Sequence, residues 1–271
     1  MPHPTLIDIG ANLTHDSFSH DLPTVLADAC AVGVTRLVLT GACVAGSTAA
    51  HALACAHPGH LFSTAGVHPH HAKDWREGDD ETLARLLAQP QVVAAGECGL
   101  DYFRNFSTPT QQCDVFERQL ALAVDSGKPV FLHQRDAHDE FLDILDAYLP
   151  RLSRAVAHCF TGGERELRHY IERDMYIGIT GWICDERRGH HLVDLVPAIP
   201  PDRLMIETDA PYLMPRSLRP KPRTRRNEPK YLPEVLRAVA AAAGRELQEM
   251  ANLTTSNAEA FFNLPEAGAA A

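Results

Sequence analysis

The chain has 271 residues, 45% hydrophobic and 22% charged, a globular usage that excludes disordered, collagen-like and coiled-coil classes and suits one α/β barrel of about 250 residues. Lys and Arg number 25 against 35 Asp and Glu, a formal net charge of −10, so the surface as a whole repels nucleic acid unless something local reverses the field. No run approaches the roughly 18 apolar residues of a membrane span. Asp8, His15, Asp16 and His20 fall where a signal peptide would be apolar. Seven scattered cysteines without a CxxC pair argue against a disulfide framework or a thiolate zinc site. A cytoplasmic protein without a membrane partner is expected.

Short apolar, β-branched runs alternate with helical patterns along the whole chain. The predicted strands are Leu6–Asn12, Arg36–Ala42, Phe62–Pro69, Val92–Leu100, Pro129–Arg135, Ala155–Thr161, Met175–Trp182 and Leu204–Pro211. Eight βα units in this length predict a TIM (β/α)8 barrel. A doubly wound open sheet would alternate similarly, but it usually has fewer strands, and no GxGxxG loop follows the first strand. One helix carries its own signals. Thr108, Pro109 and Gln111 read as N-cap, first-turn proline and capping-box partner; Phe116, Leu120, Ala123 and Val124 follow at helical spacing, and Gly127 ends the element. A single domain is expected over residues 1–264, with a disordered tail over 265–271.

Seven of the eight strands start apolar and finish in residues able to do chemistry. These are Asp8 and Asn12, His68 and His70, Glu97 and Asp101, His133 and Arg135, His158, Trp182, and Glu207 and Asp209. In a barrel such ends converge on one mouth. Strand parity puts Glu97 and Asp101 on one face and turns Cys98 and Cys159 away as packing residues. Glu97, His133 and His158 end three consecutive apolar strands, where an unpaired polar group is costly to bury. A divalent cation satisfies all three; a buried hydrogen-bond network is the alternative. Imidazole and carboxylate without thiolate suit Mg2+, Mn2+ or Zn2+, and three ligands with open positions form the catalytic pattern. Asp209 is then a fourth ligand or the base that takes a proton from water.

Between Arg216 and Lys230 seven basic residues face Glu228 alone, a net +6. This segment follows the eighth strand, where many barrels bind phosphate, and Arg225 and Arg226 are its foremost phosphate candidates. A solvated, proline-stiffened loop is the plainer reading. His68 and Arg135 are candidates for the non-bridging phosphate oxygens; equally, His68 could cap the third strand and Arg135 could neutralise Asp101 or Asp209. Tyr102, Phe103, Phe106, Trp182 and Tyr212 lie near strand ends as candidate stacking rings, Trp182 first among them.

The stretches DIGANLT at Asp8, STAGVHPH at Ser63, GECGLD at Gly96, RNFSTP at Arg104, PVFLHQRDAH at Pro129, HCFTG at His158, YIGITGWICDERRG at Tyr176, IETDAPYL at Ile206 and PKPRTRRNEP at Pro220 resemble the TatD family of metal-dependent deoxyribonucleases. The resemblance runs from about Asp8 to near Asn257. It implies an amidohydrolase-like TIM barrel, a divalent metal, and 3′ to 5′ exonuclease hydrolysis of single-stranded DNA, with RNA as a further substrate. Position by position, Glu97, His133 and His158 match the metal ligands and Asp209 the catalytic or metal-binding aspartate. Many relatives open with Asp-x-His-x-His, whereas this chain has Asp8, Gly10 and Asn12. Gly10 cannot ligate and Asn12 offers only a neutral carbonyl oxygen, so the resemblance leaves one or two ions open; Asn12 becomes a substrate contact. The rival readings are a hydrolase of small C–N or C–O bonds and a non-enzymatic interaction protein. A monomer without an obligate protein partner is expected.

Overall fold

The computed structural model describes residues 3–265. Eight strands form one sheet in sequence order: β1 (Leu6–Ala11), β2 (Val34–Leu39), β3 (Leu61–Ala65), β4 (Val92–Asp101), β5 (Val130–Arg135), β6 (Ala155–Ala157), β7 (Tyr176–Ile179) and β8 (Leu204–Ile206). Between them run α1 (Leu22–Ala31), α2 (Val44–Ala56), α3 (Asp79–Leu87), α4 (Pro109–Ser126), α5 (His138–Tyr148), α6 (Glu164–Glu172) and α7 (His190–Leu195); α8 (Leu232–Ala242) and α9 (Leu247–Phe262) follow β8. The pairs β3–β4, β4–β5, β5–β6 and β7–β8 are parallel, and a parallel bridge from Ala11 to Ala210 joins the chain after β8 to the end of β1. This is the TIM (β/α)8 order that the alternation predicts. None of the described helices is long and apolar enough to cross a membrane.

Contacts group the chain into two compact units, one of residues 39–158 and one of residues 3–38 with 159–265. In the first, Phe116 of α4 and Phe141 of α5 stack with ring centroids 5.2 Å apart, and both are fully buried, as is Phe131 of β5. In the second, Ile9, Phe18 and Phe261 are fully buried, and Tyr176 meets Phe261 edge-on at 5.0 Å. Helix α4 has the predicted ends: Thr108 and Gln111 form a reciprocal capping box, Pro109 starts the first turn, and Gly127 closes it at φ 67°. Of the expected tail, Pro265 is described, its carbonyl accepting a hydrogen bond from Arg36; residues 266–271 lie outside the described residues.

Several strands stop short of their predicted ends, always on the C-terminal side. β3 ends at Ala65 rather than Pro69, β6 at Ala157 rather than Thr161, β7 at Ile179 rather than Trp182, and β8 at Ile206 rather than Pro211. The functional residues there leave the extended conformation. Pro69 opens a short 3-10 helix that His68 caps, Gly181–Cys184 forms another, and Cys159 and Asp209 are left-handed at φ 47° and 54°. Apolar periodicity continues through these segments, but their backbones turn. Cys159 therefore lies beyond β6 and is only half-buried, outside the reach of strand parity, while Cys98 is fully buried, in a strand that is buried along its whole length.

Candidate metal centre and its surroundings

Strand β4 carries one more residue than β5 at the centre of their pairing: Gly96 lies opposite Phe131 and Cys98 opposite Leu132, which leaves Glu97 as the bulged residue. A bulge re-aims a side chain while the strand continues on both sides. The strands then run so close that a Cβ on Gly99, at φ 140°, would sit 1.9 Å from the His133 carbonyl oxygen. Only glycine fits there.

Glu97 is the hub of the centre. Its Oε1 lies 3.1 Å from His133 Nδ1, 3.1 Å from His158 Nε2 and 3.4 Å from His68 Nε2. His133 turns its other nitrogen to Asp101 Oδ2 at 3.3 Å, and His70 Nε2 reaches the same oxygen at 2.8 Å. Burial favours the neutral acid of Glu97, yet electrostatic attraction to the neighbouring imidazoles and the hydrogen bonds from His133 and His158 hold its pKa well below the usual carboxylate value. Burial likewise opposes ionisation of Asp101, and hydrogen bonds from His133, His70 and the Arg104 amide prevail, lowering its pKa. His133 is buried as well, but hydrogen bonds to Asp101 and Glu97 outweigh that penalty and raise its pKa. His68 goes the opposite way, burial dominating and lowering it well below the ordinary imidazole value.

Ligand atoms of His68, Glu97 and His133 lie within 4.8 Å of one another, a grouping that could hold a metal ion. Nitrogen and carboxylate donors without sulfur fit a hard or borderline divalent cation. The sequence nominates His158 where this grouping has His68. Hydrogen bonding separates the two rings. His68 Nδ1 accepts the His70 backbone N–H at 3.0 Å, so the neutral ring carries its hydrogen on Nε2 and presents a donor rather than a lone pair. His158 packs against Phe131 with ring centroids 4.6 Å apart and holds Nε2 at Glu97.

Two further residues have no part in the sequence reading. Gln112 and Gln119 lie seven apart on α4, on the face that buries Phe116, Leu120 and Ala123, and both are almost fully buried. Gln119 accepts from Val67 N at 2.7 Å and donates to Val67 O at 2.9 Å, fixing the residue before His68. Gln112 accepts from Asp101 N at 2.7 Å and donates to the carbonyls of Asp101 and Ser107 at 3.1 and 2.9 Å. A polar side chain interrupting an apolar helical stripe was the available signal.

The remaining candidates fall as follows. Arg135 lies 3.7 Å from Asp136 and its guanidinium covers the Phe103 ring at 4.9 Å. In the other compact unit, Asp209 Oδ1 accepts from Asn12 Nδ2 at 3.1 Å, and Asp209 N donates to Gly10 O at 2.8 Å. Asn12 thus orients the aspartate. Glu207 is fully buried and accepts the Cys159 amide at 2.5 Å. Trp182 donates from Nε1 to Arg188 O at 3.3 Å, under the Arg188 guanidinium at 4.5 Å. Arg226 forks onto Asp21 at 2.9 and 2.7 Å and reaches Glu228 at 3.0 Å. Arg216 has Glu186 and Lys230 has Asp28 and Glu228. Acidic partners therefore neutralise part of the basic segment; Arg225 lies exposed within it.

The family model described as TatD related DNase matches residues 7–263. This chain belongs to that family. A 3′-5′ ssDNA/RNA exonuclease TatD of Citrobacter rodentium is 52% identical over 259 residues, covering 96% of this chain and 98% of that protein. Its counterpart from Erwinia tasmaniensis is 51% identical, covering 96% and 100%. Among solved structures, the hydrolase TatD family protein from Entamoeba histolytica superposes with a TM-score of 0.86 at 26% identity, covering 98% of this chain and all of that one. For a TatD-family chain, the imidazoles gathered on Glu97 are the chemically decisive feature.

Proposed function

We propose that this chain is a metal-dependent exonuclease that removes nucleotides from the 3′ end of single-stranded DNA, and of RNA. The observation that carries the reading is the convergence of imidazole nitrogens on the buried Glu97 carboxylate, in a chain matched to DNase relatives from residue 7 to 263. Glu97, His133 and His158 would hold the cation, Mg2+ or Mn2+ ahead of Zn2+. A divalent ion bound there supplies Lewis acidity toward phosphoryl oxygen and water. Gly10 and Asn12 in place of an imidazole pair support one ion.

Asp209 takes the proton of the attacking water; its hydrogen bond from Asn12 supports an oriented carboxylate. His68 donates from Nε2 to a non-bridging phosphoryl oxygen, with Arg135 as a second donor. Arg225 contributes charge toward the phosphate backbone. Arg226 supports it by fixing the loop through Asp21 and Glu228, and Trp182 contributes a substrate-facing edge. The chain acts as a single-domain cytoplasmic monomer over residues 1–264; the seven cysteines are all free, in keeping with a reducing compartment.

The test is labelled single-stranded DNA with protein stripped by EDTA and reloaded. Mononucleotides should appear from the 3′ end only after Mg2+ or Mn2+ is returned, with one ion bound per chain, and Asp209→Asn should abolish release while leaving ion stoichiometry at one. Release by the metal-free protein, or none with any divalent ion, would sink the assignment.

A further inference from the structure

Five large hydrophobic side chains are exposed among the described residues, and two of them, Phe103 and Phe106, sit three apart in one loop after β4. They are 57% and 56% exposed. This loop is not loose. Asp101 Oδ1 accepts the Arg104 amide at 2.8 Å, Asn105 donates to Tyr102 O at 2.6 Å, and Tyr102 N donates to Arg135 O at 2.8 Å. Ser107 Oγ donates to His70 O at 3.1 Å, and Gln112 clamps both ends of the loop from below. Rings held out to solvent on a pinned backbone contribute little to burial, and their display costs little further ordering when something stacks on them.

Their surroundings define the chemistry of the occupant. Phe103 lies beneath two guanidinium groups, Arg135 at 4.9 Å and Arg104 at 5.4 Å. Phe106 packs on His70 with ring centroids 4.7 Å apart, and His70 meets His68 edge-on at 4.1 Å. A run of rings therefore leads from the surface to the Glu97 carboxylate. Flat apolar faces beside arginine forks are complementary to a chain that alternates flat bases with phosphates. In a paired duplex every base face except that of the terminal pair is covered by a neighbouring pair. We propose that Phe103 and Phe106 form a stacking platform for unpaired bases near the strand end being hydrolysed, with Arg104 and Arg135 gripping the adjoining phosphates. This rests on the nuclease reading and adds to it the element that selects single strands over duplex.

The experiment is a binding cycle between ring and base. Fluorescence anisotropy in Mg2+ compares a labelled, hydrolysis-resistant phosphorothioate oligothymidylate of ten residues with the same strand carrying abasic residues at its 3′ end. The wild type should bind the intact strand about tenfold or more tightly than the abasic one, at the scale of one stacked base. In the Phe103→Ala, Phe106→Ala double variant that ratio should fall toward one, and Phe103→Trp with Phe106→Trp should restore it. A ratio of one in the wild type, or an undiminished ratio in the alanine variant, overturns the platform while leaving the nuclease intact. An undiminished ratio together with lost self-association in sedimentation would assign the rings to a second copy of the chain. Failure of the wild type to bind either strand would overturn the nuclease reading itself, and the platform with it.

Discussion

Asp8→Asn tests the electrostatics of a buried carboxyl outside the proposed ligand set. Asp8 is fully buried in β1; its Oδ1 accepts from Gly10 N at 3.2 Å and Thr208 N at 2.9 Å, and its Oδ2 accepts the Thr208 hydroxyl. Burial pushes the carboxyl up to about 7, against the hydrogen bonds from Thr208 and Gly10. Because the folded value lies above the unfolded one, folding takes up a proton between the two, and the group's contribution to stability falls as pH rises from about 4 to about 7. At about 1.4 kcal/mol per pH unit the full cost of the ionised form is about 4 kcal/mol, of which about 2.5 kcal/mol develops between pH 5 and pH 8. Asparagine keeps the acceptor for both backbone amides and carries no charge. The difference in unfolding free energy between variant and wild type, from urea titrations followed by fluorescence, should therefore move in the variant's favour by that amount from pH 5 to pH 8. Taking the difference cancels the opposite pH dependence of Glu97 and Asp101. A difference that stays constant over this range, or moves the other way, would refute the reasoning.

The other predictions concern the centre and its supports. His133 has a raised pKa because Asp101 and Glu97 outweigh its burial penalty, so Mn2+ must displace a proton; affinity should fall as pH is lowered, and calorimetry in two buffers of different ionisation heat should show proton release, whereas identical heats would contradict it. Gln112→Leu strands the Asp101 amide and two carbonyls that its side chain now pairs; a loss of about 3 kcal/mol is expected, read as a lower melting temperature, and an unchanged melt would show that the clamp is dispensable. Gly99→Ala places a Cβ 1.9 Å from the His133 carbonyl oxygen; the chain should fail to accumulate as folded protein, and a normal circular dichroism spectrum with intact Mn2+ binding would disprove the close approach.

What could be read from the bare chain follows from how local each signal is. The capping box of α4 lies within four residues and is found as predicted. Glu97, His133 and His158 end apolar runs one βα unit apart, and a parallel sheet in sequence order brings them together. Strand ends were less legible, because the turns at Cys159 and Asp209 depend on tertiary hydrogen bonds, from Cys159 N to Glu207 and from Asp209 N to Gly10 O. The fate of the basic segment was out of reach: Arg226 finds Asp21 across 205 positions of sequence. No count of local charge anticipates that pairing. The sequence leaves His68 between a capping and a phosphate role, and the geometry accommodates both, since Nδ1 caps the turn while Nε2 faces Glu97.

The loop after β4 keeps its anchors and its display on different atoms. Asp101, Ser107 and Gln112 hold it through backbone groups, whereas Phe103 and Phe106 project outward and take no part in those bonds. Exchange of the two outward residues leaves those backbone bonds in place, so this short stretch is where contacts with a polymer can change without rebuilding the anchors beneath.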